Sequence, residues 1–320
     1  MLFAAALAVA PALHAQSSKT YRIGIVSPLN GPPEQPTVRA FRQGLRELGY
    51  VEGKNVIVEV RYVGGRIETF PAHFADLIKL KVDAIVTGSG PGILAAKKAT
   101  TTTPIVFAGV LDPVSSGIVS NLARPGGNIT GTTFGAGGSE IAGKWVELLT
   151  AAVPRISRLA VLTNRTDPQS GLLLKEIQRA ATSRNIAVEH FDARSEADLD
   201  SVLATLGASG AHGMIVTNSP IFGAQRAKLV RFAAEKRLPA IYFFNLFPDS
   251  GGLMSYGGSL EESYRRAATY VDRVLRGARP GDLPVDQPTR FELVINLKAA
   301  KALGLEIPRP LLLRADRVID

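Results

Sequence analysis

The sequence predicts an α/β protein built as two doubly wound lobes joined by a hinge, with a ligand cleft between them, and three observations predict it. Short, nearly continuous apolar runs alternate with helix-period segments, the pattern of parallel strands covered on both faces. The runs fall into two series of four. Between the series lies Asp112 to Phe134, DPVSSGIVSNLARPGGNITGTTF, an extended segment that carries the chain from one half-sheet to the next. At 320 residues the chain exceeds one typical core, which favours two domains of ordinary size.

The first series begins near Arg22 (RIGIVSPL), Asn55 (NVIVEVRYV), Asp83 (DAIVTGS) and Pro104 (PIVFAGV). The second begins near Arg158 (RLAVLTN), Ala187 (AVEHFDA), Gly213 (GMIVTNS) and Ala240 (AIYFF). Each run is short and bounded by turn residues, as buried strands are. The helices between them show which face is buried. Val38, Phe41, Leu45 and Leu48 recur at three- and four-residue spacing, and Gly49 then offers a left-handed stop. Ile141, Trp145, Leu148 and Leu149 make a second stripe, closed by Val153 and Pro154. Leu199, Val202, Leu203 and Leu206 make a third; Tyr264, Ala267, Ala268, Val271, Val274 and Leu275 make a fourth. All of these residues are assigned to the core.

Composition narrows the function classes. With 46% apolar and 20% charged residues the chain folds as an ordinary globular protein, and no stretch reaches the roughly 20 apolar residues that span a bilayer. Residues 1–18 are expected to be a signal peptide: Leu2 to Ala15, LFAAALAVAPALHA, is apolar, too short to span, and ends in small residues before Gln16, Ser17 and Ser18. The absence of cysteine fits an oxidising compartment and excludes a lipid-anchoring thiol after the leader. The formal charge of +9 is spread over helix faces, as at Arg226, Lys228 and Arg231, with no basic tract interleaved with aromatics. Nucleic acid is therefore not an expected partner.

Catalytic patterns fail on inspection. RIGIVSPLNG lacks the GxGxxG turn of a dinucleotide site, and in GSEIAGK, Gly138 to Lys144, Trp145 stands where a phosphate loop needs Ser or Thr. His73, His190 and His212 are isolated, without a metal-ligand spacing, and no GxSxG elbow occurs. The expectation is no catalysis, no cofactor and no metal.

Binding residues are expected where open parallel sheets hold ligands, beyond the carboxyl ends of the strands, where helix N-termini offer free N–H groups. The sequence places a polar or Gly/Pro segment at nearly every such end. Ser27 follows the first run, and Thr87, Gly88 and Ser89 follow the third, with Pro91 suited to a first helical turn. Asp112 follows the fourth, Asn164 the fifth, Asn218 the seventh and Asn245 the eighth. Hydroxyls and N–H groups around Ser27, Thr87 and Ser89 suit a carboxylate. Tyr242 and Tyr256 are singled out as an aromatic clamp for a flat apolar portion of the ligand.

These segments also carry a family resemblance. RQGLRELGYVEGKNVIVEVRY, KVDAIVTGSGPGILAAKKAT, IVFAGVLDPVSSGIVSNLARPGGNITG and the run from Gly251 to Pro308 resemble the ABC-transporter substrate-binding protein family typified by tryptophan- and phenylalanine-binding members. The resemblance covers about residues 20 to 320. It implies a type I periplasmic binding fold of two Rossmann-like lobes, a small-molecule ligand closed between them, an ABC permease as partner, a periplasmic location and a monomer. The cleft positions it implies are Ser27, Thr87 to Ser89, Asp112, Asn164, Asn218, Tyr242, Asn245 and Tyr256. Asn218 stands where relatives place a carboxylate for a ligand ammonium, so that role would pass to Asp112 or another acid. A sensor that docks on a membrane signalling partner without transport is the alternative.

Chain crossings are expected near Gly131 to Gly135, Asp249 to Ser255 and Leu283 to Pro288, where glycines tolerate hinge motion. The N-terminal lobe would then hold residues 20–131 plus 252–284. The C-terminal lobe would hold residues 132–251 plus 285–320.

Overall fold

The structure, a computed structural model, describes residues 19–31, 35–134, 140–288 and 291–320. The expected leader, residues 1–18, and part of the first expected crossing lie outside the described residues. The first lobe runs through β1 (Tyr21–Ser27), α1 (Pro36–Glu47), β2 (Val56–Tyr62), α2 (Phe70–Lys79), β3 (Ala84–Thr87), α3 (Gly90–Ala99), β4 (Ile105–Ala108) and β5 (Ile129–Thr132). Its sheet is parallel throughout, in the order β2-β1-β3-β4-β5. Every residue of β3 and β4 is buried, because helices cover both faces.

The second lobe continues with α4 (Glu140–Ala152), β6 (Arg158–Thr163), α5 (Ser170–Thr182), β7 (Ala187–Asp192), α6 (Glu196–Ala208) and β8 (Gly213–Val216). It goes on through α7 (Pro220–Ala224), α8 (Arg226–Glu235), β9 (Ala240–Tyr242), α9 (Leu246–Asp249) and β10 (Met254–Gly257). The chain then returns to the first lobe as α10 (Leu260–Leu275). It comes back to the second as β11 (Glu292–Asn296), α11 (Leu297–Ala302), α12 (Arg309–Leu312) and β12 (Arg317–Ile319). The second sheet reads β12-β11-β10-β9-β8-β6-β7, with β10 and β11 antiparallel. Trp145 is fully buried between α4 and this sheet, as its stripe predicts, and its indole N–H donates to the Tyr256 carbonyl at 2.7 Å.

The return of α10 is what ties a distant part of the sequence to the first lobe. Tyr264, Ala267, Ala268 and Val271 share a core with Val38, Phe41 and Leu45 of α1 and with Ile23 and Ile25 of β1. Gly44 lets the two helices meet: a Cβ there would stand 2.6 Å from the Arg265 carbonyl oxygen and 2.8 Å from the Ala268 Cβ. Tyr264 is thereby carried to the upper edge of a sheet whose strands all lie far upstream in the sequence.

The lobe boundaries differ from the expected ones. Residues 252–257 belong with the second lobe, since β10 pairs with β9 and β11 there, and the crossing falls at Gly258 and Ser259 instead. At the third crossing Val285 and Asp286 remain with the first lobe, their N–H groups donating to the Leu122 and Gly131 carbonyls at 2.7 and 2.9 Å. Backbone pairing decides both cases. Four strands are not evident from the sequence, for a physical reason: β5 and β10 (ITGT, MSYG) carry glycine and hydroxyls in place of an apolar run, and β11 and β12 (ELVIN, RVI) hold only three and two apolar residues.

Candidate functional site

Both sheets have the same local geometry. In the first, the chain leaves β1 and β3, which are neighbours, in opposite directions; in the second, β6 and β8 stand in that relation. Such switch points open a crevice beyond the strand ends. The two crevices face each other and make one cavity, enclosing about 530 Å³ of empty space including its connection to solvent.

The first lobe contributes Pro28 and Leu29 after β1, Thr37 in the first turn of α1, and Gly88 to Gly90 at the start of α3. Ser89 sits at φ 68°, a backbone region few non-glycine residues adopt, while its hydroxyl caps the helix by accepting from the Gly92 N–H at 3.3 Å. Thr37 and Tyr264 are buried, and neither hydroxyl has a hydrogen-bond partner among the described residues. Burial pushes the Tyr264 phenol upward, tempered by the Gly88 backbone beside it, which stands outside hydrogen-bond geometry. Two helix N-termini and two idle hydroxyls make this edge a donor surface.

The second lobe contributes Asp167, Asn218, Ser219 and Pro220. Asp167 lies in the turn before α5, 4% exposed, its Oδ1 accepting from the Gln169 N–H at 3.0 Å. Burial raises its pKa to about 6, and that single N–H partly offsets the rise. Asn218 Oδ1 is buried without a partner. Toward the hinge the cavity is walled by Phe134, Phe244, Val110 and Leu260. Phe134 meets Phe243 and Phe244 edge-on at 5.1 and 5.6 Å between ring centres, so the wall is fixed by ring packing.

The lobes are in contact across the mouth of the cavity. Asn30 Nδ2 donates to the Ala224 carbonyl at 2.8 Å, and Gln169 Nε2 donates to the Asp112 carbonyl at 2.9 Å. The structure is thus a closed form.

Of the residues singled out from sequence, Gly88, Ser89 and Asn218 line the cavity. Several others lie beneath its floor. Thr87 Oγ1 donates to the Val26 carbonyl at 2.9 Å, and Ser27 Oγ accepts from the Leu29 N–H at 3.4 Å. Asn164 links two loops of the second lobe, donating to Ser219 Oγ at 3.1 Å and accepting from Thr166. The expected role of Asp112 as an acid in the cleft is corrected: its carboxylate accepts the Val114 and Ser115 N–H groups at 3.0 Å, turned into its own loop. Asn245 precedes α9 and does not line the cavity.

The aromatic clamp is corrected as well. Tyr242 is fully buried and stacks on Phe247 at 4.3 Å, on the α8 side of the sheet. Tyr256 packs against Phe291 at 5.7 Å. The rings that do line the cavity are Phe134, Phe244 and Tyr264. Sequence reading passed over Asp167, Thr37 and Tyr264. The first two resemble helix-start residues, and the third stands in a core stripe.

With this geometry in place, comparison with known proteins is decisive on one point. The profile of the ABC transporter substrate binding protein family matches residues 22–319. The chain belongs to that family. A tyrosine-binding protein of Clostridioides difficile (strain R20291) is 25% identical over 296 residues, covering 91% of this chain and 83% of that protein. Among solved structures, the ABC domain from Streptococcus pneumonia in complex with L-Trp aligns with a TM-score of 0.84 and 23% identity, over 94% of this chain and all of that one. A conserved domain protein from Vibrio cholerae O1 biovar El Tor aligns with a TM-score of 0.83 and 26% identity, over the same share of each. The architecture of this family member is the type I periplasmic binding fold. Among the described residues no group of His, Asp and Glu side chains is placed to hold a metal ion, and no helix is long and apolar enough to cross a membrane.

Proposed function

We propose that this substrate-binding protein captures an amino acid with an aromatic side chain and presents it, as an exported component, to an ABC permease. One observation carries the ligand class. Five buried side-chain polar atoms lack a partner among the described residues, and three of them, on Thr37, Asn218 and Tyr264, line this one cavity. Unpaired buried polar atoms are unfavourable, so their gathering at one place marks where ligand atoms complete them.

Their chemistry orients the ligand. A carboxylate lies on the first lobe, at the Ser89–Gly90 helix start, and accepts from the Thr37 and Tyr264 hydroxyls. The α-ammonium, within a few ångströms of that carboxylate in any α-amino acid, meets Asp167. A Cβ on Gly90 would stand 3.7 and 3.8 Å from the two Asp167 oxygens, so the carboxylate lies next to the helix start. The side chain then extends toward Phe134, Phe244 and Leu260. The tyrosine- and tryptophan-binding relatives support this class, and the family supports the permease, the extracytoplasmic location and the lack of catalysis.

Calorimetric titration with L-tryptophan, L-tyrosine, L-phenylalanine, L-leucine and L-glutamate tests the ligand class. At least one aromatic amino acid should bind in the micromolar range or tighter, and glutamate should not. Binding of glutamate alone, or of none of the five to protein freed of bound small molecules, would overturn the proposal.

A further inference from the structure

We propose that Asp167 makes closure of the cleft conditional on a cation, so that the closing step, more than first contact, rejects ligands without one. This rests on the amino-acid reading of the cavity, but it concerns the lobe movement and is testable without any ligand.

Three observations lead to it. Asp167 is buried because the first lobe covers it: the start of α3 lies against its carboxylate and Gly90 against the neighbouring Pro168, where a Cβ would stand 3.4 Å from the ring. No cationic side chain is bonded to it among the described residues, and its carboxylate accepts a hydrogen bond from the Gln169 N–H. Closing the cleft therefore takes a carboxylate out of water with only one N–H and the partial charge of the α3 N-terminus, and no cationic side chain, to balance it, and burying a charge without a full counter-charge carries a strong penalty. Two neutral interlobe hydrogen bonds, from Asn30 and Gln169, do not match that penalty.

Gate and latch also share a residue. Gln169 gives its backbone N–H to Asp167 and its side-chain amide to the Asp112 carbonyl of the other lobe. The turn that presents the carboxylate is thus the same turn that seats against the first lobe. When a ligand ammonium neutralises Asp167, that turn docks and Gln169 engages. When the ligand carries only a carboxylate, the donors of the first lobe hold it while the cleft stays open.

The absence of cysteine makes the movement measurable. Glu68→Cys and Ala227→Cys, both exposed and on opposite lobes near the mouth, accept a donor and acceptor dye for energy-transfer measurements. In this labelled protein L-tryptophan should drive the population to the short-distance state. 3-(Indol-3-yl)propanoate, which differs only by the missing amine, should bind in calorimetry yet leave the distance long. Adding Asp167→Asn, which keeps the acceptor for Gln169, should raise the closed fraction of ligand-free protein at least tenfold. Equal closure by the two ligands, or a ligand-free Asp167→Asn distance distribution identical to that of the parent, would overturn the proposal. If calorimetry detects neither ligand, the amino-acid reading fails, while the ligand-free comparison still decides the gate.

Discussion

The two lobes present the same strand ends with opposite chemistry. Each opens its crevice between the first and third strand of a parallel half-sheet, β1 and β3 in one, β6 and β8 in the other. The first lobe lines its crevice with donors: the Thr37 and Tyr264 hydroxyls and the N-termini of α1 and α3. The second lines its crevice with acceptors: the Asp167 carboxylate and Asn218 Oδ1. A duplicated fold therefore makes the cleft, and under the proposed amino-acid reading the side chains at its two edges would decide which end of the ligand each lobe takes. Fold and specificity live on different links of the chain from sequence to function.

The largest expected effect comes from the acidic edge, through pH. Burial in the closed cleft pushes the Asp167 carboxyl up to about 6, and opening the cleft to water should return it toward its ordinary 3.8. The closed state then holds the proton more tightly. Above about pH 6 both forms are ionised and the full penalty on closing is present. As pH falls from 6 to 4 the penalty is relieved, and below 4 it changes no further. Two pH units correspond to about 3 kcal/mol, or roughly a hundredfold rise in the closed-to-open ratio of ligand-free protein. The residues against it, Ser89 and Gly90 of the first lobe and Pro168 beside it, carry no titratable side chain; the Tyr264 phenol of the same cavity is pushed above its ordinary range by burial and stays protonated here, and Arg165 of the same turn is exposed. His73 and His190 are held below the ordinary histidine range, chiefly by burial, and line no part of the cleft. An Asp167→Asn protein should consequently show a flat profile in the same energy-transfer measurement. A pH-independent parent protein would break the comparison at its acidic edge.

The donor edge is tested by deleting its hydroxyls. Tyr264→Phe and Thr37→Val each remove a group that has no protein partner to lose, so the ligand-free melting temperature should hold or rise. Affinity should fall by about 1.5–3 kcal/mol for each variant, the range for a hydrogen bond to a charged group, which is roughly ten- to a hundredfold. Calorimetry beside a thermal melt separates the two effects. Unchanged affinity in both variants would show that the carboxylate does not sit on this lobe.

How much of this was legible in the sequence differs between scaffold and site. Eight strands and the buried stripes of four helices follow from local periodicity, because parallel strands and amphipathic helices state their burial in their own residues. Gly88 and Ser89 were legible for a related reason: a Gly-rich turn before Pro91 is a helix start at a strand end. Asp167, in the run TDPQS, reads like any residue before a helix. Its importance comes from the other lobe folding over it, which no local pattern records. Tyr264 stands in a stripe whose other members are core, and only the return of α10 against α1 lifts its hydroxyl to the cleft. Tyr242 misled in the opposite sense. Its position at the end of β9 suggests the cleft, yet its ring turns to the sheet face covered by α8.

The smallest expected effect separates those two tyrosines. Both phenols are fully buried, both lack a partner among the described residues, and burial raises both pKa values. They differ in what surrounds them: Tyr264 faces the interlobe cavity, whereas Tyr242 borders an apolar hollow between α8 and α11 lined by Val230, Leu238, Ala299 and Leu303. Removing the Tyr242 hydroxyl takes an unpaired polar group out of an apolar core and keeps the ring stacked on Phe247. Tyr242→Phe should therefore leave ligand affinity within twofold of the parent and keep stability within about 1 kcal/mol, on the favourable side. The same one-atom deletion at Tyr264 should lower affinity. A Tyr242→Phe protein that loses affinity as strongly as Tyr264→Phe would mean that the second core transmits to the cleft, and that the division of labour between the two edges is incomplete.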